Sequence, residues 1–132
     1  MDHFNRVNAA IGHARADRLL RQVGELIRTS CRTGDFVVRY DEEAFAVLCD
    51  ETGREEARRL AERIRAAVAE TEPQTDGPDE VRVSCSVGVA NVPEDTIDPD
   101  VLLILARQRL RVSKASGRNR VTADGGLVEQ AG

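Results

Sequence analysis

Apolar positions recur along this chain with two different periods. Phe4, Val7 and Ile11 stand at helical spacing in a polar stretch, which predicts a short helix or turn over Asp2 to Ala10, interrupted at Gly12. Leu19, Leu20, Val23, Leu26 and Ile27 form one stripe and predict a second helix from about Ala16 to Cys31, with a break at Gly34 and Asp35. Two short apolar runs follow, Phe36 to Tyr40 and Phe45 to Cys49. They flank the acidic Asp41-Glu42-Glu43-Ala44 and so predict a β-hairpin with an acidic tip. Ala57, Leu60, Ala61, Ile64 and Val68 predict a helix over Arg54 to Ala69, and two Pro and a Gly between Thr71 and Asp79 predict a loop. Val81, Val83, Cys85, Val87 and Val89 alternate strictly, as in a half-buried strand. Asp98-Pro99 reads as an N-cap followed by Pro at the first helical position, for a helix that runs to Ser116 and stops at Gly117. Asn119 to Thr122 predicts a last short strand, and residues 123–132 read as a frayed tail.

The order is helix, helix, strand, strand, helix, strand, helix, strand. It suits an α+β sandwich in which helices cover an antiparallel sheet, as one domain over residues 1–122. A length of 132 residues fits a single core. Aromatics at 3% and a net charge of −4 argue against a surface that tracks a nucleic-acid polymer, which wants stacking rings and a basic excess. No apolar run approaches the roughly 20 residues that span a bilayer, and no signal-peptide pattern precedes the first motif, so the reading is a cytoplasmic domain without a membrane span. Cys31, Cys49 and Cys85 are odd in number and widely spaced, as expected of free thiols in a reducing compartment. His3 and His13 have no partner at metal-ligand spacing. Among 19 basic residues Lys114 is the single lysine, which singles it out.

Several landmarks fall in one order. They are Asp2-His3-Phe4-Asn5-Arg6-Val7-Asn8, then Gly12-His13 with Asp17, then Arg39-Tyr40 before the acidic tip, then Ser84 to Ala90, then Lys114 to Val121. This ordered set resembles the GGDEF family of diguanylate cyclases, which condense two GTP into cyclic di-GMP. The resemblance covers about residues 1–122 and implies a nucleotide-cyclase-like, ferredoxin-like palm. It implies that Asn8 and Asp17 hydrogen-bond a guanine base, a role that suits an amide and a carboxylate facing guanine's mixed edge. The competing reading is that Asn8 caps a turn and Asp17 the next helix. Lys114 and Arg118 match the family's triphosphate-binding pair, at i, i+4 spacing around Gly117. The alternative there is a helix C-terminus that favours positive charge.

The signature turn departs from the family. Where the family has two glycines, an acid, Glu and Phe, this chain reads Asp41-Glu42-Glu43-Ala44-Phe45. The glycines let backbone approach the nucleotide closely, and any Cβ intrudes. Asp41 and Glu42 also bring two negative charges toward a triphosphate, which at about 4 Å costs several kcal/mol when partly desolvated. Glu43 matches a metal-binding acid, while Ala44 has lost the following carboxylate. The resemblance also implies a central strand just before Asp2, ending in an aspartate metal ligand two residues earlier. Read so, the first strand is missing and Glu43 alone remains as a side-chain ligand for the Mg²⁺ that GTP would bring.

Arg32-Thr33-Gly34-Asp35 resembles the R-x-x-D motif that binds cyclic di-GMP as a feedback inhibitor, at the family's distance from the turn. Arg63 falls where the family often has a second arginine for the same ligand. Arginines fork to phosphates and guanine edges, and an aspartate accepts from guanine N–H groups. The bland alternative is an arginine that ends a helix and an aspartate that begins a strand. Three functional readings follow. One is a catalytically silent module that binds cyclic di-GMP through Arg32, Asp35 and Arg63 and GTP through Asn8, Asp17, Lys114 and Arg118. The others are an active cyclase with a variant turn, and a structural or homodimerising remnant.

Overall fold

The structure is a computed structural model that describes residues 1–71 and 82–125. Helix α1 (Phe4–Ile11) and helix α2 (His13–Ser30) form one helical run broken at Gly12. Its φ of 85° is a conformation that L side chains avoid, so a glycine turns the chain there. Asp17, read as a possible cap, therefore lies inside α2, because the helix begins three residues before the position expected for it. The predicted stripes are buried: Phe4, Val7 and Ile11 on α1, and Ala16, Leu19, Leu20, Val23 and Ile27 on α2. Helix α3 (Arg54–Ala69) adds Ala61, Ile64 and Val68 to the same core. Each fully buried aliphatic of this kind contributes about 1.5–3 kcal/mol.

Strands β1 (Phe36–Asp41) and β2 (Ala44–Leu48) form the expected antiparallel hairpin, with Val38 opposite Ala46. Val37, Phe45 and Val47 pack against the core, whereas Phe36, Val38, Tyr40 and Leu48 stay exposed. Gly24 on α2 leaves room for the Phe45 ring, which a Cβ there would approach to 3.1 Å. The predicted strand over Val81 to Val89 shortens to β3 (Val87–Gly88), with Val81 outside the described residues. Its alternation survives in burial, since Val83 and Cys85 face the core. Ladder pairing needs a neighbour, and among the described residues β3 finds one only in β4 (Val121–Thr122), which runs parallel to it. The two pairs of strands are separate sheets among the described residues. Between them lie the first two residues: the Met1 amino group donates to the Glu43 carbonyl at 2.9 Å, and the Asp2 N–H to the Ser84 carbonyl at 2.9 Å.

Asp2 is buried and ties three segments together. Its carboxylate accepts from Ser84 Oγ at 2.8 Å, Ser86 Oγ at 2.7 Å and the Asn119 N–H at 3.1 Å. Burial works against its charge, but the bonds from Ser86, Ser84 and Asn119 outweigh that and hold the carboxyl below its usual range.

Helix α4 (Pro99–Ala115) starts as expected, with Asp98 Oδ1 accepting from the Asp100 N–H at 2.9 Å. It presents Leu105, Arg109 and Ser113 to β3 along one buried line. A Cβ at Gly88 would overlap the Ala106 carbonyl and the Leu110 nitrogen, so this contact is backbone against backbone. Ser113 Oγ donates to the Val87 carbonyl at 3.0 Å. Arg109, 2% exposed, grips both oxygens of Asp95 (3% exposed) at 2.8 Å, the Val89 carbonyl at 2.8 Å and the Gly125 carbonyl at 3.0 Å. Arg54 at the start of α3 pairs with the same carboxylate. Burial disfavours the Asp95 charge, yet the bonds from Arg109 and the Asn91 N–H, with the charges of Arg109 and Arg54, keep it ionised below the usual range. Packing also continues past Thr122, because Ala123 is buried and Asp124 lies 3.5 Å from Arg58.

Two outcomes are expected. Arg109→Met removes the main partner of a buried carboxylate and lowers stability by about 3–5 kcal/mol in urea unfolding, and adding Asp95→Asn recovers part of that loss. Removing the hydroxyls by Ser84→Ala with Ser86→Ala raises the folded Asp2 pKa toward its unfolded value. A depressed carboxyl stabilises above its unfolded pKa and loses that contribution as pH falls through the folded one. The stability gap between parent and double variant is therefore widest at neutral pH and narrows below about pH 4, which unfolding curves across pH will read.

Candidate functional site

Two clefts gather the chemistry-bearing side chains. The first lies between the end of α2, the turn before β1 and the start of α3, and is lined by Ser30, Arg32, Asp35, Thr52, Glu56, Arg59, Leu60 and Arg63. It is built from the R-x-x-D turn, which closes on itself. The Arg32 N–H donates to Asp35 Oδ2 at 2.9 Å, and the Asp35 N–H donates to the Arg32 carbonyl at 3.0 Å. The Arg32 guanidinium is thereby aimed at the loop before α3, where it donates to Thr52 Oγ1 at 2.5 Å and the Asp50 carbonyl at 3.3 Å. Its other nitrogens lie 3.8 Å from Glu56 and 3.9 Å from Asp35. Arg63 reaches from α3 to the Ser30 carbonyl at 3.3 Å, one of the carbonyls that the end of α2 leaves open. Arg32, Arg59 and Arg63 thus converge from two elements. Burial and the neighbouring Asp35 push the Cys49 thiol up to about 11, so it stays protonated beside this cleft. All three cysteines are free, with Cys31 and Cys49 half-buried and Cys85 buried.

The second cleft lies at the far end of α4 and is lined by Met1, Asp2, His3, Phe4, Asn5, Glu43, Lys114 and Arg118. Here the structure brings together Lys114, Arg118 and Glu43, three of the residues singled out from the sequence. Arg118 has φ of +62°, and Asn119 follows at +48°. Non-glycine residues seldom adopt this left-handed region, which costs about 1–2 kcal/mol, and the turn is held by the Arg118 N–H donating to the Ser113 carbonyl at 2.9 Å. Two cations at a helix C-terminus stand beside the exposed Glu43, while the second carboxylate of the lining, Asp2, is buried and taken up by its own hydrogen bonds.

Asn8 and Asp17 do not line this cleft. Asp17 is held by Arg21 one turn along α2 at 2.9 Å. Asn8 leaves its side-chain oxygen buried without a partner. In the hairpin tip, Asp41 Oδ1 accepts the Glu43 N–H at 2.9 Å, and Arg39 donates to the Asp41 and Glu42 carbonyls at 3.2 and 2.5 Å. The tip is therefore a closed acidic turn, with side chains where the family has bare backbone. Ala44 and Phe45 follow it in β2, with Phe45 packed on the core. For a divalent cation the lining offers Glu43 and Asp2, and the Asp2 carboxylate is already taken up by Ser84, Ser86 and Asn119. Among the described residues no three His, Cys, Asp or Glu side chains converge as a metal group.

Thr52, Glu56 and Arg59 were not foreseen in the first cleft. Arg59 had a legible signal, being one helical turn from Arg63; Thr52 and Glu56 reach the cleft only through the packing of α3 on α2. No helix among the described residues is long and apolar enough to cross a membrane.

The family model of the diguanylate cyclase GGDEF domain matches residues 1–120. Diguanylate cyclase A of Treponema denticola is 35% identical over 122 residues, which is 92% of this chain and 33% of that protein. The active GGEEF domain of a diguanylate cyclase from Vibrio cholerae has a similar structure, with a TM-score of 0.82 and 25% identity over 95% of this chain and 79% of that one. The GGDEF domain of DgcB from Caulobacter crescentus, solved in complex with c-di-GMP, gives a TM-score of 0.80 and 27% identity over 92% of this chain and 71% of that one. The chain spans about a third or less of the length of the first curated relatives it matches. A family match over residues 1–120, on a fold that carries the hairpin, the R-x-x-D turn and the cationic helix end in the family's order, means that the chain belongs to the GGDEF domain family.

Proposed function

We propose that this domain acts in cyclic di-GMP signalling as a receptor for the dinucleotide, bound in the Arg32 cleft, and that its hairpin does not turn over GTP. The observation that carries the reading is the convergence of Arg32, Arg59 and Arg63 on one open cleft, with Arg32 fixed by its own R-x-x-D turn. Three guanidiniums offer forked donors to two phosphodiesters and flat faces to two purines. The c-di-GMP complex of the related DgcB domain supports the same ligand class.

The silent turn follows from chemistry at the tip. Phosphoryl transfer depends on positioned cations and close backbone donors around the triphosphate. Here Asp41 and Glu42 put carboxylates at that place, Ala44 offers no ligand, and Asp2 is committed to structural bonds. Lys114 and Arg118 keep two cations in the second cleft, which supports residual GTP binding without condensation.

Titration calorimetry with cyclic di-GMP tests the first half. The parent domain should bind, and Arg32→Ala and Arg63→Ala should each weaken binding by about tenfold or more, the loss expected for one charge-assisted contact to phosphate. Product analysis after incubation with Mg²⁺-GTP tests the second half, with no cyclic di-GMP formed. Turnover that disappears in Glu43→Ala would contradict it.

A further inference from the structure

The outer face of the β1–β2 hairpin is apolar and open. Phe36, Val38 and Tyr40 alternate along β1 on the side away from the core, and Leu48 stands opposite Phe36 on β2. Their exposures run from 46% at Tyr40 to 69% at Phe36. Helix α4 lies beside this face. The Arg107 guanidinium stands over the Tyr40 ring, 5.7 Å from its centre, and Lys114 further along the helix lines one cleft with Glu43 of the hairpin tip. The C-terminal half of α4 is therefore at the tip end of the hairpin. Leu103 and Ile104, one turn before Arg107, lie toward its base and are 46% and 50% exposed. Contiguous apolar surface of this kind, bounded by charge, is the mark of a docking face.

Charge is sorted along the same direction. At the tip Asp41 and Glu42 are exposed, and neither carboxylate has an ion-pair partner among the described residues. On α4, Arg107 and Arg111 are exposed and have no carboxylate partner among the described residues. Each element is thus apolar at the base end and charged at the tip end, and the two elements carry opposite signs.

We propose that this face is the interface of a two-fold dimer, in which the hairpin of each copy receives α4 of the other. An axis along the groove between the hairpin and α4 sets the helix of one copy on the strands of its partner, and the reverse. Such an axis keeps positions along both elements. Leu103 and Ile104 then meet the partner's Phe36 and the partner's Leu48, while Arg107 and Arg111 meet the partner's Asp41 and the partner's Glu42. The result is an apolar centre with a charged rim, as in stable interfaces. A second copy is the occupant because the surface complements itself. A partner of one charge sign would set its charges against either the acids of the tip or the cations of α4. The proposal is independent of the nucleotide reading of the Arg32 cleft.

Sedimentation velocity over a range of protein concentration reads the association. The parent should be a dimer that dissociates on dilution, and sooner at high salt, which screens the rim pairs. Val38→Lys buries a charge in the apolar centre and should weaken the dimer by about tenfold or more. Glu42→Arg and Arg111→Glu should each weaken it by about tenfold, since each sets like charges opposite one another twice. An equal mixture of those two variants should form heterodimers as tight as the parent dimer, because every rim contact is then between opposite charges. All three positions are exposed, and urea unfolding curves that match the parent's will show that the fold is kept. A parent that stays monomeric at the highest concentration overturns the proposal. So does a dimer that keeps its affinity in all three variants, or a mixture of charge variants that stays monomeric. Growth beyond the dimer with rising concentration contradicts the closed two-fold arrangement.

Discussion

The reciprocal pair of hydrogen bonds between Arg32 and Asp35 decides where a guanidinium stands, and the Arg32 cleft depends on it. An arginine side chain in water samples many rotamers, and ordering it costs up to about 2 kcal/mol. Here the turn fixes its backbone, a buried carboxylate caps its N–H, and Thr52 and the Asp50 carbonyl hold its far end. The ordering cost is thus met during folding rather than on binding, which is what preorganisation of a site means. Arg63 is steadied in the same way by the Ser30 carbonyl. The cleft is a product of the α2–α3 packing, since its lining comes from the end of one helix and the first turns of the other.

The same packing is anchored from the opposite side by buried charge. Asp95 joins Arg54 at the head of α3 to Arg109 in the middle of α4, and Arg109 extends the link to β3 and to Gly125. Asn91 connects this cluster to the Thr52 carbonyl at 3.2 Å, so the loop that supports Arg32 is bonded to it as well. A charge cluster of this kind adds little net stability compared with apolar packing, but it admits one arrangement of its partners. The Lys114 cleft sits at the other end of α4, and its position follows from Ser113, which is bonded to β3 and to Thr122 at 2.7 Å.

The helices and the β1–β2 hairpin were legible in the sequence, and the pairing of β3 with β4 was not. The apolar stripes of α1, α2 and α3, and the Asp98-Pro99 start of α4, are local signals, and local signals suffice where i, i+4 neighbours bury one face. Of the predicted alternation, Val83 and Cys85 appear as buried, yet among the described residues only Val87 and Gly88 form a ladder, because pairing depends on a neighbouring strand that no local pattern supplies. Arg109 carries no local signal, and its burial goes with a pairing to Asp95 fourteen residues away. Of the site residues, Arg32, Asp35 and Arg63 meet in one cleft, and Lys114, Arg118 and Glu43 in another. Asn8 and Asp17, assigned to a base by resemblance, do not join them. Glu56 carried no sequence signal, because its place in the cleft is set by how α3 lies on α2.

The most direct measurement of the central claim is a crystal structure of the domain grown with both cyclic di-GMP and Mg²⁺-GTP. The account predicts the dinucleotide against Arg32, Arg59 and Arg63, and no triphosphate lying along the Asp41-Glu42 tip in a pose for condensation. A Mg²⁺-bound triphosphate seated on that tip, with the Arg32 cleft empty, would contradict it.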